Sequence, residues 1–426
     1  MTGLPASSTG SRHYLLAMLT LIYAVSFIDR TVINVLAQPI KAELGLTDAQ
    51  LGLVSGSAFA LLYASMGLPL ARIAERYSRR NLIAVSLSVW SLATAACGLA
   101  GQFWHLFLAR VGVGIGEAGS TPASHSMLAD MYRPEERPLA LSIFSIGIPI
   151  GTIFGAFLGG WIGQTMGWRM AFLLLGLPGI AIALLFRFTI TEPIRTAPVA
   201  AHEHVGAALR QLWRVVAFRY LVAGFTFAAM GGYSIGAFMI AWLLRRHGMT
   251  LADASYAFGT VSGFAGIVGM LLGGVLAGAL SRRDVRMQSW IPAVAMLITG
   301  IFLILCFRQS DLMSLAFFAV PAALCYSIYV GPGYAAIQNV TPAHLRSTSS
   351  AVVLLISTLI GMGLGPPITG WISDRAGANC TAAGVCADGL SFALMIASTS
   401  YLLAAVCFTV AGFYIRHKKE AMAHEH

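Results

Sequence analysis

The chain has 426 residues, 57% of them hydrophobic and only 10% charged, with a formal net charge of +10 and a mean hydropathy of +0.77. That composition excludes a water-soluble globular domain and indicates an integral membrane protein. The positive balance calls for no nucleic-acid partner, because it is the bias expected of loops that face anionic lipid.

Apolar runs of about 20 residues, each enough to cross a bilayer, occupy roughly 14–37, 49–71, 81–101, 105–128, 138–163, 168–189, 219–243, 252–280, 287–307, 312–338, 347–373 and 390–415. None shows the short alternation of a barrel strand. Inside lipid every backbone polar group must be satisfied within its own segment, so all are read as helices. The expectation is an all-α membrane protein with twelve transmembrane helices.

The first run follows Arg12 and ends near Val35-Leu36-Ala37, which resembles a signal peptide and its cleavage site. It is too long for an apolar signal region and contains Asp29-Arg30, so it is read as a retained helix. Those two charges, with Arg110 and Glu117 in the fourth run, are the ones placed deep within spans. An ionisable side chain at that depth costs at least about 2.5 kcal/mol and persists when it is paired, water-facing or functional.

At 1.5 Å rise per residue Asp29 lies roughly 22 Å from Tyr14, about two-thirds of the way across. Arg110 and Glu117, seven residues apart, share one helical face about two turns from each other. The expected arrangement is a ladder, with Asp29 and Arg30 beside Arg110 and Glu117 below. A carboxylate balanced between desolvation and a neighbouring guanidinium can be tuned to load and release protons, which points to Glu117 and, with it, Asp29. Arg30 and Arg110 keep their charge, and their planar forks suit a phosphate or carboxylate head group. The plainer reading is that the four charges only neutralise one another.

The second half carries no charge within its expected spans but offers Tyr233 in the seventh run and Tyr326, Tyr329 and Tyr334 in the tenth. Aromatic packing explains some of these. Charges on one wall of a cavity and aromatics on the other would suit an amphipathic substrate, with Tyr233, Tyr326 and Tyr329 lining the apolar side. Gly147, Gly151, Gly155 and Gly159 in the fifth run form a small-residue stripe, and Gly151-x-x-x-Gly155-x-x-x-Gly159-Gly160 within it resembles the antiporter motif of proton-driven exporters with Ala156 in place of its proline, although close helix packing explains the stripe more simply.

Lys and Arg outside the spans divide 19 to 6 between the two sides. The excess predicts that both termini and the 191–218 connection are cytoplasmic, and the membrane expected for the chain is an inner (plasma) membrane. Cys97, Cys306, Cys325 and Cys407 fall within spans as small apolar residues. Cys380 and Cys386 share an outward loop whose oxidising surroundings permit a disulfide; two free thiols is the other reading, and the loop supplies no His for a metal site.

The chain repeats itself. Gly160-Trp161-Ile162 recurs as Gly370-Trp371-Ile372, Gly151 and Gly155 recur as Gly361 and Gly365, and Ser78-Arg79-Arg80 recurs as Ser281-Arg282-Arg283. Two six-helix bundles follow, 1–190 and 219–426, with 191–218 as linker. An even number of spans per half makes them parallel repeats, the pseudo-symmetry of a rocking transporter.

Ala71-x-x-x-Glu75-Arg76-Tyr77-Ser78-Arg79-Arg80 resembles the loop 2–3 signature of the major facilitator superfamily, Gly-x-x-x-Asp-Arg-x-Gly-Arg-Arg. Asp130 with Pro134-Glu135-Glu136-Arg137 and Ala140 is similar to that superfamily's loop 4–5 pattern. Phe27-Ile28-Asp29-Arg30 and Arg110-Val-Gly-Val-Gly-Ile-Gly116-Glu117-Ala118 resemble the spinster branch, transporters associated with sphingolipids and lysophospholipids in animals, and the chain looks like a bacterial homologue. The resemblance implies a cytoplasmic gate built from Glu75, Arg76, Arg79, Arg80, Asp130 and Arg137, and alternating access without a cofactor.

No phosphate-cradling loop, His-Glu-x-x-His or nucleophile elbow occurs, so an enzyme or ATP-driven pump is not expected. The expected function is proton-coupled movement of an amphipathic, lipid-like anion by a monomer. An organic-anion symporter or drug exporter is the second reading, and a membrane sensor or scaffold the non-transport one.

Overall fold

The structure, a computed structural model, describes residues 9–133, 136–193, 205–342, 345–383 and 389–415, and all regular structure among them is helical. In chain order the helices are α1 Thr9–Val35, α2 Ala37–Leu44, α3 Asp48–Gly52, α4 Ala58–Arg76, α5 Arg79–Cys97, α6 Phe103–Ala118, α7 Ser120–Met131, α8 Arg137–Ser145, α9 Gly147–Thr165 and α10 Trp168–Gly176. They continue as α11 Pro178–Thr189, α12 Val205–Arg214, α13 Val216–His247, α14 Leu251–Leu280, α15 Met287–Cys306, α16 Leu312–Ile328, α17 Val330–Val340, α18 Arg346–Ile356, α19 Gly363–Ala383 and α20 Gly389–Tyr414. Single π-helical turns, Leu53–Ser57 and Ser357–Met362, join α3 to α4 and α18 to α19.

Eleven segments among the described residues are long and apolar enough to cross a membrane. The remaining expected crossing is present in two pieces, α6 and α7, which meet at Gly119 and are each shorter than a full span. Starts and stops follow local chemistry: Thr47 and Gln50 close a capping box on α3, Ser78 caps α5, and Gly248 ends α13 in the left-handed region with a φ of 64°.

The described residues fall into two compact units, one within Met1–Leu46, Ala58–Ala201 and Thr250–Gly259, the other within Thr47–Ser57, His202–Met249 and Thr260–His426. The first is centred on fully buried Phe59, Trp90, Phe144, Phe172 and Phe186. The second is centred on Phe218, Phe238, Trp242, Tyr401 and Phe408.

Lipid supplies no hydrophobic drive between helices, so close approach depends on small side chains. In the first unit α9 packs against α1 through its glycines: a Cβ at Gly155 would lie 3.0 Å from the Ile28 Cα, and one at Gly147 2.9 Å from the Thr20 carbonyl. In the second unit Gly361 and Gly365 make the equivalent seam with α13, where a Cβ would come within 3.0 and 2.6 Å of Met230 backbone atoms. The glycine stripe is therefore a packing device in both repeats.

Candidate functional site

Asp29, Arg110 and Glu117 are 0%, 1% and 2% exposed. The site begins with two neighbours on α1 that point apart, as successive helical residues do. Arg30 turns toward α4 and α6, and its Nε and Nη2 donate to Glu117 Oε2 at 2.7 and 2.6 Å. The Ser26 hydroxyl donates to the same oxygen at 3.1 Å. All three bonds fall on Oε2, and Oε1 has no hydrogen-bond partner among the described residues.

The Arg30 guanidinium lies 5.0, 4.6 and 4.8 Å from the ring centres of Phe27, Phe59 and Tyr63. A desolvated cation in such a cage gains about 2 kcal/mol from a ring face, which helps to offset its burial.

Asp29 faces the other way, beside Trp90 and Thr94 of α5 and within electrostatic reach of Arg110 and Glu117. Asp29 interacts with the Trp90 and Thr94 side chains, but among the described residues no contact to either of its carboxylate oxygens, or to Arg110 Nε and Nη2, meets full hydrogen-bond geometry. Two bases and two acids thus share one buried cluster, in which Arg30 and Glu117 are joined by hydrogen bonds. The expected ladder differs in that respect. Arg110 stands two turns from Glu117, about 10 Å of rise, and Arg30 reaches Glu117 from the facing helix instead.

A second ionic cluster holds the start of α5. Arg79, 1% exposed, donates to Asp130 of α7, to Ser126 at 2.9 Å, to Glu192 at 3.1 Å and to the Pro193 carbonyl at 2.8 Å. The Glu192 carboxylate also accepts the backbone N–H groups of Arg79 and Arg80 at 2.9 and 3.0 Å and the Ser78 hydroxyl. Burial raises the Glu192 pKa, but those hydrogen bonds outweigh it and hold the carboxyl below its ordinary value. Arg80 donates to the Ile190 carbonyl at 3.1 Å and Arg137 to the Tyr132 carbonyl at 3.1 Å. Glu75 and Arg76 are exposed on the last turn of α4.

In the second unit Tyr326 and Tyr329 lie 5.7 Å apart by ring centres. Phe225 touches Tyr329, Tyr334 and Phe408 at 5.3, 4.9 and 5.7 Å. Tyr233 is half-buried on α13, one residue after Gly232, whose missing side chain leaves room for the Tyr326 hydroxyl. That unit also contains Asp48, 3% exposed, held by a bidentate fork from Arg245 at 2.8 and 2.7 Å and by Ser373 at 2.7 Å. Asp374 in turn accepts the Asp48 and Ala49 N–H groups at 2.9 and 2.8 Å. Cys386 and the side chain of Cys380 lie outside the described residues.

Residues 19–366 match the Major Facilitator Superfamily. The chain belongs to that superfamily. The superfamily fold also appears in the crystal structure of a bacterial homologue of the human lysosomal transporter Spinster, at 32% identity and a TM-score of 0.87, over 96% of this chain and 98% of that one. An MFS-type efflux pump of Mycolicibacterium smegmatis is 33% identical over 93% of this chain and 91% of its own. Human spinster homolog 1 is 27% identical over 100% of this chain and 84% of its own. This major facilitator chain is accordingly a multi-pass membrane transporter related to the spinster proteins, and not an enzyme.

Within the superfamily frame, several site residues went unread in the sequence. Phe59 and Tyr63, four apart on one face of α4, carry a weak signal, as i,i+4 aromatics beside a charged helix. Glu192 carries a clearer one, being the sole acid between Arg137 and Glu203. Trp90 and Thr94 of α5 carry none, because an apolar helix needs such residues for packing alone.

Proposed function

We propose that this major facilitator protein is a proton-coupled secondary transporter that moves an amphipathic, lipid-like anion, such as a sphingolipid or lysophospholipid, by alternating access of its two six-helix halves, 1–190 and 219–426. Glu117 carries the proton, with Asp29 as the second acid. Arg30 and Arg110 bind the head group and act as counter-ions, while Tyr233, Tyr326 and Tyr329 take the apolar chain. Glu75, Arg76, Arg79, Arg80, Asp130 and Arg137 form the cytoplasmic gate. The protein works as a monomer in the inner membrane with both termini cytoplasmic, as its Lys and Arg distribution favours.

The observation that carries this reading is the incomplete pairing of the buried cluster: among the described residues Glu117 Oε1 and two Arg110 nitrogens are buried without a hydrogen-bond partner, and the Asp29 oxygens meet only the neutral Trp90 and Thr94 short of full hydrogen-bond geometry. A cluster serving only mutual neutralisation would close its hydrogen bonds, since each orphaned buried group costs about 1–3 kcal/mol. An unpartnered carboxylate oxygen can take a proton, and an unpartnered guanidinium edge can take an anion. The resemblance to the spinster branch supports the lipid-like class; of the second readings, organic-anion symport or drug export, the mycobacterial efflux pump favours export.

Purified protein in liposomes under an imposed pH gradient, offered lysophospholipids, sphingoid phosphates, small organic anions and cationic drugs, tests the assignment. Accumulation of the amphipathic anions that collapses with the gradient is expected. Movement of hydrophilic anions or drugs alone, or transport indifferent to pH, would replace it.

A further inference from the structure

The connection between the halves contains a helix whose surface the transport reading does not use. In α12, which packs on α13 within the second unit, Ala208 and Leu212 are buried, whereas Leu209 and Trp213, one position further round, are 36% and 45% exposed. Arg210 and Arg214 follow on the next face, also exposed, and exposed Arg219 comes soon after on α13. The sequence holds no Asp or Glu between Glu203 and Asp253, and no ion pair engages the three arginines among the described residues. Nearby, Tyr220 and Tyr414, both exposed, stack at 6.1 Å with 7° between their planes, and Trp213 meets Phe218 edge-on at 6.1 Å.

A helix lying in water would not present Leu209 and Trp213 beside its arginines, and one lying against protein would bury them. Apolar side chains, amphipathic aromatics and unopposed arginines on one short helix match a different solvent, the boundary between acyl chains and head groups. Tyrosine and tryptophan favour that depth because one end of the ring system is apolar and the other wet. We infer that α12 is an interfacial helix docked on anionic phospholipid, with Leu209 and Trp213 in the acyl boundary and Arg210 and Arg214 on lipid phosphates. Its recognition of the bilayer is separate from the transport site, because none of these residues belongs to the buried charge cluster.

Each arginine near an anionic surface is worth about a factor of five in the local equilibrium, so the pair should contribute roughly 30-fold. Amide hydrogen exchange of the full chain, in nanodiscs of phosphatidylcholine and in nanodiscs containing phosphatidylglycerol, reads this directly. Exchange over 205–214 should slow by roughly 30-fold in the anionic discs. R210Q/R214Q should abolish that dependence without altering exchange over 216–247. W213A should raise exchange in both lipids and leave their ratio unchanged. Equal exchange of the wild type in the two lipids would overturn the proposal. So would slowing that survives R210Q/R214Q.

Discussion

Glu117 takes three hydrogen bonds on one oxygen and none on the other, and that asymmetry separates the two arginines of the cluster. Arg30 is already committed to Glu117 and to its aromatic cage, so Arg30→Ala would leave a buried carboxylate uncompensated, at about 3–5 kcal/mol of stability. Arg110 is fully buried, within electrostatic reach of Asp29 and 5.4 Å from the Phe59 ring centre, so Arg110→Ala should also destabilise the protein, whereas Arg110→Lys keeps the charge, should melt nearer the wild type, and should still bind an anionic lysolipid more weakly because it lacks the planar fork. Thermal melts and calorimetric titration of the Arg110 variants check this; Arg110→Lys binding the lysolipid as the wild type does would remove the head-group assignment. Glu117→Gln keeps the shape and an acceptor for Arg30 but cannot cycle a proton. It should abolish uptake driven by a pH gradient while preserving substrate binding, and pH-driven uptake at the wild-type rate would take Glu117 out of the mechanism.

At the level of the helix, the start of α5 shows how one acid can organise an element. Glu192 covers the first two N–H groups of α5, where the helix dipole also favours an anion. Its carboxyl is held below the ordinary value of 4.5. A depressed folded pKa gives stabilisation that is fully present above the free value and lost as pH falls through the folded one. The tether of 190–193 to α5 should therefore be intact at neutral pH and fail as pH drops below about 4.5. Glu192→Gln should raise amide exchange at 79–82 at neutral pH, and the difference from wild type should vanish at acidic pH; a difference that persists there would contradict the assignment. This tether was hard to read in the sequence, because Glu192 lies in a connection and its partners are over a hundred positions earlier. Asp48 escaped notice for a related reason: it sits just before a hydrophobic run, and only the fold brings Arg245 and Ser373 to it. Helices themselves were legible, since a bilayer demands apolar length and internal hydrogen bonding, whereas the breaks at Gly119 and the π-helical turns answer to packing that local sequence does not encode.

For the molecule as a whole, hydropathy, the repeat and two loop signatures were enough to place the chain in its superfamily, and the buried charges were visible because lipid makes each one costly. Which charge meets which was not visible, since pairing depends on side-chain direction across facing helices. That difference bears on the proposed gate. The loop signature gives Glu75 and Asp130 equal standing, yet Asp130 holds Arg79, which is 1% exposed, whereas Glu75 is exposed. Asp130→Ala removes one of the two acids on a buried guanidinium and should destabilise the protein by a few kcal/mol. Glu75→Gln should leave stability within about 0.5 kcal/mol of wild type, as for most surface substitutions. If both acids belong to a state-dependent latch, both variants should still shift the conformational balance toward inward opening, with turnover slowed by about ten-fold for a latch term near 1.4 kcal/mol. Head-group affinity measured from the outside should fall with the outward-facing population. Spin labels at the inner ends of α4 and α18 separate the two effects: Glu75→Gln should move the distance distribution without moving the melt, and Asp130→Ala should move both. Distributions identical to wild type in both variants would leave Arg79–Asp130 as a structural pair and require the gate to be built elsewhere.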